Sequence, residues 1–147
     1  MSPRAAWRLE HLGFDRSVDY VGGKLDWLAF DLPWDGSAHL VGRELDRDAA
    51  TCATGAKVGE VSAQLSSAEL CVVVFDGGVV AGSLSQEALR ADDEELVDAV
   101  MDSGPPTVRP SEEAPALAER MRKKNLAHMI VTRPDGRLVG VFRPDRS

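Results

Sequence analysis

The chain has 147 residues, a net charge of −7 and a pI near 4.9, and its 44% hydrophobic content is ordinary for a globular protein. This length suits one domain or two very small ones. The negative charge disfavours nucleic acid and anionic membranes as partners. No stretch approaches the ~20 apolar residues that span a bilayer, and the N-terminus lacks an apolar signal core. We therefore expect a cytoplasmic protein without nucleic-acid or membrane partners.

The first forty residues predict two short helices with a short strand and a turn between them. Apolar residues on 3–12 predict the first helix, Val18–Val21 a short strand, and the residues around Trp27 a second helix. With the preceding helix, the run YVGGKLDWLAFDLP (20–33) resembles the C-terminal tail of a rhodanese-type sulfurtransferase. The sequence therefore predicts a rhodanese-tail-like segment over residues 1–40.

The rhodanese resemblance implies a nucleophilic cysteine with an arginine a few residues further on. The two cysteines, Cys52 and Cys71, both lack this Cys-x-x-x-x-Arg arrangement. We therefore reject sulfurtransferase activity, and we also expect no metal site. Residues 1–40 are expected to cap the remainder of the chain or a dimer partner. The alternative is a semi-detached appendage, joined through a linker at 36–39.

An internal repeat fills the rest of the chain. Thr51–Phe75 aligns with Thr107–Val131 at an offset of 56, and the next strands align at an offset of 58, which matches Val80 with Leu138 and Gly82 with Gly140. Each copy predicts a strand, a helix with one apolar face, and two further strands joined by a Gly-containing hairpin turn. The apolar face is formed by Val58, Val61 and Leu65 in the first copy and by Ala114, Leu117, Ala118 and Met121 in the second. This alignment puts the two extra residues of the second copy in its hairpin turn.

Several helix boundaries follow from capping residues. Ser111 is predicted to cap the helix of the second copy. Asp92 is predicted to cap a helix that runs from the acidic stretch 92–95 to Met101. The first copy is predicted to continue into a helix after Ser85.

The run VDAVMDSGPPTVRPSEEAPALAERMRKKNLAHMIVTRPDGRLVGVF (97–142) resembles a CBS domain, the family named after cystathionine β-synthase. Residues 44–91 resemble a weaker first copy. The resemblance implies an α+β fold, a CBS-domain pair of two βαββα-type repeats packed about a pseudo-twofold axis. The predicted boundaries are 1–40 for the N-terminal segment, 44–100 for repeat 1 and 101–147 for repeat 2, which lacks its closing helix.

The resemblance also implies a regulatory module rather than an enzyme. Many relatives bind adenine nucleotides or S-adenosylmethionine in two clefts between the repeats, and we accordingly expect AMP, ATP or S-adenosylmethionine as candidate ligands. The better cleft is predicted to be lined by Thr107, Val108, Pro110, His128 and Ser85. The opposite cleft is predicted to use Thr51, Cys52, Arg143 and Asp145.

One departure from the family leaves two functions open. Binding relatives carry a Thr/Ser-x-x-Asp step whose Asp accepts the ribose hydroxyls, whereas Ala88 and Arg146 occupy these positions here. The chain is therefore either an adenosyl-ligand sensor or a ligand-free dimerisation and interaction module. A homodimer through the CBS helices is expected in both cases, with apolar contacts from Leu96, Val97, Val100, Met101, Leu117 and Met121.

Overall fold

A computed structural model describes residues 3–18, 20–64, 69–90 and 92–144. Its α-helices are α1 (Pro3–His11), α2 (Gly23–Ala29), α3 (Val58–Gln64), α4 (Val97–Val100) and α5 (Ala114–Lys123). Its strands are β1 (Leu45–Asp46), β2 (Thr51–Ala53), β3 (Leu70–Val74), β4 (Val80–Ser85), β5 (Asp102–Ser103), β6 (Thr107–Val108), β7 (Met129–Thr132) and β8 (Leu138–Phe142). Val41–Arg43 and Ala88–Arg90 form short 3₁₀-helices.

The strands form two four-stranded sheets, one in the order β2-β3-β4-β5 and the other in the order β1-β8-β7-β6. In each sheet a parallel pair is followed by an antiparallel hairpin, and the repeat pattern predicted the hairpins. The edge strands are exchanged: β5, which leads into repeat 2, pairs with β4 of repeat 1, and β1 pairs with β8 of repeat 2. The two repeats are therefore interlocked by their leading segments.

The pseudo-symmetry begins earlier in the chain than the sequence patterns indicated. Leu40 forms a bridge with Glu113, and Leu96 forms the matching bridge with Lys57, again at an offset of 56. The next residues, Val41 and Val97, are both 0% exposed. The segments that begin at Leu40 and Leu96 are therefore pseudo-equivalent: Val41 packs in the apolar cluster of repeat 2, and Val97 packs in that of repeat 1.

The strand alignment of the two copies needs a correction. Val72 lies opposite Ser83, and Ile130 lies opposite Val141, so the hairpin strands correspond at an offset of 58 throughout. The hairpin turns have the same length, because the Phe75-to-Val79 hydrogen bond matches that from Arg133 to Arg137. The two extra residues of the second copy consequently lie after the start of α5 and before β7, and α5 has ten residues where α3 has seven. Helical periodicity and strand periodicity each predicted their elements, but neither fixes how many residues separate the start of the helix from the next strand.

Three apolar clusters hold the fold together. One lies in repeat 1 around Val58, Val61 and Leu84, and one lies in repeat 2 around Leu117 and Phe142. The third joins the two sheets through Leu70, Val72, Ile130 and Val141. Since α3 and α5 present their predicted apolar residues to these clusters, the helical spacing in the sequence predicted the core faces correctly. Leu65, which was predicted on the same face of α3, lies outside the described residues.

The predicted capping residues are only partly correct. α5 begins at Ala114 after Glu113, so Ser111 is not its cap. Asp92 accepts a hydrogen bond from the Glu94 amide at 3.0 Å, but it closes a turn, because α4 spans only Val97–Val100. Ser85 does accept a hydrogen bond from the Ala88 amide at 3.2 Å, and a single 3₁₀ turn follows it.

The N-terminal segment packs on its own chain through α2. Asp26 forms a 2.6 Å ion pair with Arg133 in the β7–β8 turn, and the Arg133 guanidinium lies 4.5 Å from the centre of the Phe30 ring. Arg47 donates hydrogen bonds to the carbonyls of Leu28 and Ala29 at 3.2 and 3.0 Å. These contacts exclude a semi-detached appendage for α2.

Both predicted N-terminal helices are present, but the predicted strand is wrong. Val18, Tyr20 and Val21 form no strand, and Asp19 lies outside the described residues. Tyr20 instead donates a hydrogen bond to Asp26 at 2.9 Å and packs edge-on against Trp27. These local tyrosine contacts, rather than strand pairing, hold the stretch in place.

The predicted dimer residues also need revision. Val97, Leu117 and Met121 are each 0% exposed within the single chain, so they are core residues and not an apolar flank. Leu96 remains 48% exposed. The homodimer itself stays a prediction.

Candidate functional site

An open cleft lies where β5, the loop after it and the start of β7 meet. We call it the Asp102 cleft, and its cavity measures about 310 Å³. It combines a hydrophobic wall with hydroxyl, carboxylate and imidazole groups. The lining residues are Ser83, Asp102, Ser103, Gly104, Pro105, Pro106, Leu126, His128 and Ile130.

The backbone brings Asp102 and Ser83 together at this cleft. The two residues are partners in the β4–β5 pairing. Gly82 allows β5 to approach closely, because a Cβ atom there would lie only 2.5 Å from the Met101 sulfur and 2.9 Å from the Asp102 carbonyl oxygen. A side chain at residue 82 would push β5 away and move Asp102 out of the cleft.

The polar groups of the Asp102 cleft are available to a ligand. Asp102 is exposed, and within the described residues its carboxylate makes no hydrogen bond or ion pair. Burial lowers the pKa of His128, and the nearby Arg143 lowers it further, while Glu69 acts in the opposite direction. His128 is therefore biased towards neutral imidazole, which can donate one hydrogen bond and accept another.

The repeat relates the Asp102 cleft to a second location around Asp46, which we call the Asp46 cleft. The two clefts differ in their lining residues. At the positions equivalent to Ser83 and His128 stand Val141 and Leu70, which are 0% and 4% exposed and pack in the intersheet cluster. The carboxylate of Asp46, equivalent to Asp102, is paired with the guanidinium of Arg143. Apolar side chains and an ion pair therefore occupy this cleft, and only the Asp102 cleft presents an unpaired carboxylate.

The structure brings only part of the predicted site together. His128 lines the Asp102 cleft as predicted. Ser85 lies two residues beyond Ser83 on β4, and Thr107 is exposed on β6, but neither lines the cavity. Val108 and Pro110 are buried inside repeat 2, where the Pro110 carbonyl accepts a hydrogen bond from Gly42. Their predicted places are taken by Pro105 and Pro106.

The residues predicted for the opposite cleft are also dispersed. Thr51 is exposed on β2, Cys52 packs against the core of repeat 1, and Arg143 is held by Asp46. Asp145 lies outside the described residues.

Sequence reasoning missed Asp102 and Ser83, although a signal for Asp102 was present. Extending the repeat alignment towards the N-terminus matches Leu40-Val41 with Leu96-Val97 and Asp46 with Asp102. An acidic residue thus follows each leading segment at the same position. Ser83 had no such signal, because its counterpart is the apolar Val141.

The cysteines are neighbours on the parallel strands β2 and β3. Cys71 is buried, and the pKa of its thiol is raised because it donates a hydrogen bond to Cys52 and is desolvated. The same hydrogen bond lowers the pKa of Cys52. Across the described ranges there is no group of three or more His, Cys, Asp and Glu residues that could hold a metal ion.

The low pKa of His128 predicts a pH dependence of stability. In the unfolded chain this imidazole titrates near 6.5, whereas in the folded protein it takes up its proton only at lower pH. The unfolded state therefore gains a proton first as the pH falls, and the free energy of unfolding decreases below about pH 6.5. Urea unfolding between about pH 7.5 and 5.5 should show a weaker decrease for His128→Gln than for the wild type. The exposed His39→Gln serves as the control, and equal slopes for all three proteins would contradict the prediction.

Comparisons with known proteins agree with this architecture. The family model of the CBS domain matches residues 97–145, which is repeat 2 with most of its leading segment. The fold is similar to the cytosolic domain of the Mg²⁺ channel MgtE in complex with ATP, at 25% identity and a TM-score of 0.68 over 74% of this chain. The chain spans about half of that structure, 47% of its length.

Two further structures match over most of their own length. The CBS domain pair of protein MJ0100, in complex with 5′-methylthioadenosine and S-adenosyl-L-methionine, has 18% identity and a TM-score of 0.64, covering 75% of this chain and 93% of that one. A CBS domain protein from Pyrobaculum aerophilum complexed with AMP has 24% identity and a TM-score of 0.61, covering 71% and 86%. The chain therefore has a CBS-pair fold with two sheets.

Other comparisons add no further family. No curated protein matches the chain. The rhodanese resemblance of residues 1–40 stays a prediction. Over the residues described, no helix is both long enough and apolar enough to cross a membrane.

Proposed function

We propose that this protein is a regulatory CBS-pair protein, and not an enzyme, which binds one adenosine-containing ligand such as AMP, ATP or S-adenosylmethionine in the Asp102 cleft. The observation that carries the proposal is the difference between the two pseudo-equivalent clefts. The Asp102 cleft is open, and among the described residues its Asp102 carboxylate has no partner, whereas Val141 and Leu70 are buried at the equivalent positions of the Asp46 cleft. The expected stoichiometry is one ligand per chain.

The lining of the Asp102 cleft suits the parts of a nucleoside. Pro105, Pro106 and Ile130 offer apolar surfaces for a purine ring. The Asp102 carboxylate can accept hydrogen bonds from two ribose hydroxyls, and bonds to an ionised acceptor are the stronger kind. A cavity of about 310 Å³ is at the small end of ligand sites, so the terminal part of a larger ligand would extend into solvent.

The structural relatives support the same ligand class. The three solved structures named above are complexes with AMP, with ATP, and with S-adenosyl-L-methionine and 5′-methylthioadenosine. All of these ligands share the adenosine unit, or its thio-derivative, and differ in the group attached to the ribose. Regulation would require that the ligand bind two conformations of the protein with different affinities.

A ligand-free interaction module is the second candidate, and Ala88 is the residue that favours it. Ala88 stands where binding relatives carry the ribose-binding Asp, and here it packs against the apolar cluster of repeat 1. A carboxylate introduced at residue 88 would be partly desolvated, so Ala88→Asp is a poor way to restore binding. The sensor proposal therefore depends on Asp102 as the alternative acceptor.

Isothermal calorimetry of the full chain with AMP, ATP and S-adenosylmethionine tests the proposal. Binding of at least one ligand with one site per chain, accompanied by a rise in melting temperature, is the expected result. The absence of both heat and thermal shift with all three ligands at millimolar concentration would overturn the sensor function and favour the interaction module.

A further inference from the structure

An open apolar groove lies beside α5 on the outer side of repeat 2. Its cavity measures about 500 Å³. The groove is lined by Ala114, Pro115 and Ala118 of α5, by Phe142 and Pro144, and by Glu44 and His39, whose side chains lie 3.7 Å apart. We call it the α5 groove.

The same place in repeat 1 is filled by the chain itself. There the 3₁₀-helix Ala88–Arg90 packs against α3, and Leu89 is only 9% exposed in the cluster that contains Val58. Val58 is the counterpart of Ala114 in the groove. An apolar side chain thus covers the helix of repeat 1 at the position that is open in repeat 2.

The sequence of repeat 2 differs at the equivalent position. At the hairpin offset of 58, the counterpart of the apolar Leu89 is the polar Ser147, which lies outside the described residues. Within the described residues of repeat 2, the α5 groove is open at the place that Leu89 covers in repeat 1.

An unpartnered apolar surface of matching character lies at α1. Trp7, Leu12 and Phe14 are 61%, 68% and 60% exposed, so the chain that carries them does not bury them. The charges are complementary as well: residues 3–16 contain three arginines against two acidic residues, in a chain with a net charge of −7. The charged groups that line the groove are the Glu44 carboxylate and, 3.7 Å from it, the His39 imidazole.

We propose that α1 and the turn after it, residues 3–14, dock in the α5 groove of a second copy of this chain. Each copy carries both surfaces, so a reciprocal exchange closes as a twofold-symmetric dimer. Trp7 and Leu12 fill the space that Leu89 fills in repeat 1, and Arg8 approaches Glu44 of the partner. The proposal does not depend on ligand binding.

Light scattering coupled to size exclusion measures the expected mass. The wild type should elute at about twice the 15.8 kDa chain mass. The double variant Trp7→Ala/Leu12→Ala, which alters only exposed side chains, and the groove variant Ala118→Arg should each elute as monomers. Val21→Ala, at a residue that is 95% exposed outside α1, is the matched control and should remain dimeric.

Mixing the two monomeric variants distinguishes docking from a loss of folding. The double variant retains an intact groove and Ala118→Arg retains an intact α1, so the mixture should form a heterodimer through one remaining contact. A monomeric wild type, a dimer that neither variant affects, or a mixture without heterodimer would overturn the proposal. Calorimetry with adenosine ligands on the double variant keeps this outcome separate from the ligand-binding function.

Discussion

Val41→Asp is expected to destabilise the protein severely, although Val41 precedes the first predicted repeat. The side chain is 0% exposed and packs among Leu117, Met121 and Phe142 of repeat 2. A buried carboxylate without a partner costs several kcal/mol, a large part of the about 5–15 kcal/mol that stabilises a typical domain. We expect the leading segment to leave the core and the melting transition to fall sharply or disappear.

Two further variants serve as comparisons for Val41→Asp. Val97→Asp changes the pseudo-equivalent residue in repeat 1, which is also 0% exposed, and it should be similarly severe. Val21→Asp introduces the same charge at a 95% exposed site and should leave urea unfolding nearly unchanged. A wild-type unfolding curve for Val41→Asp would show that the 40–46 segment does not seal repeat 2.

Asp102→Ala is expected to weaken adenosine-ligand binding by about ten- to a hundredfold. The carboxylate is the unpaired acceptor of the cleft, and a hydrogen bond to a charged group contributes roughly 1.5–3 kcal/mol. The exposed side chain makes no hydrogen bond or ion pair within the described residues, so its removal should leave the melting temperature of the free protein almost unchanged. Calorimetry measures the affinity, and thermal unfolding without ligand measures the stability.

Asp76→Ala, which removes the same charge in the β3–β4 turn, is the control for general electrostatic effects and should retain wild-type affinity. Ser83→Val introduces into the Asp102 cleft the valine that stands at the equivalent position, Val141, of the Asp46 cleft. This variant should also reduce binding. Equal affinities for Asp102→Ala, Asp76→Ala and the wild type would remove Asp102 from the ligand site, even if the protein binds nucleotide.

The sequence by itself determined the repeated architecture and the core faces. Residues spaced i, i+3 and i+7 placed Val58 and Val61, and likewise Leu117 and Met121, on the buried sides of their helices. The apolar runs and hairpin turns predicted the central strands of both sheets. These features are set by local periodicity and turn chemistry, so a single sequence contains them.

Sequence patterns could not determine the connections between these elements. The two extra residues of repeat 2 were assigned to a hairpin turn, although the paired strands correspond at one constant offset. The helix predicted from Asp92 to Met101 is short because Leu96 bridges to Lys57 and Asp102 pairs with Ser83. Hydrogen bonds to residues distant in the chain determine the secondary structure of these segments, and local propensity does not predict such bonds.

The candidate site depended even more on tertiary structure. His128 was found from sequence because it begins an apolar strand, but Val108 and Pro110 proved to be interior residues. The difference between the two clefts arises from side chains that meet only when the sheets pack: Val141 and Leu70 fill one, while Ser83, His128 and the unpaired Asp102 line the other. Sequence determined the repeats because their patterns are local, whereas tertiary structure decided which cleft is open because each cleft contains residues from both repeats.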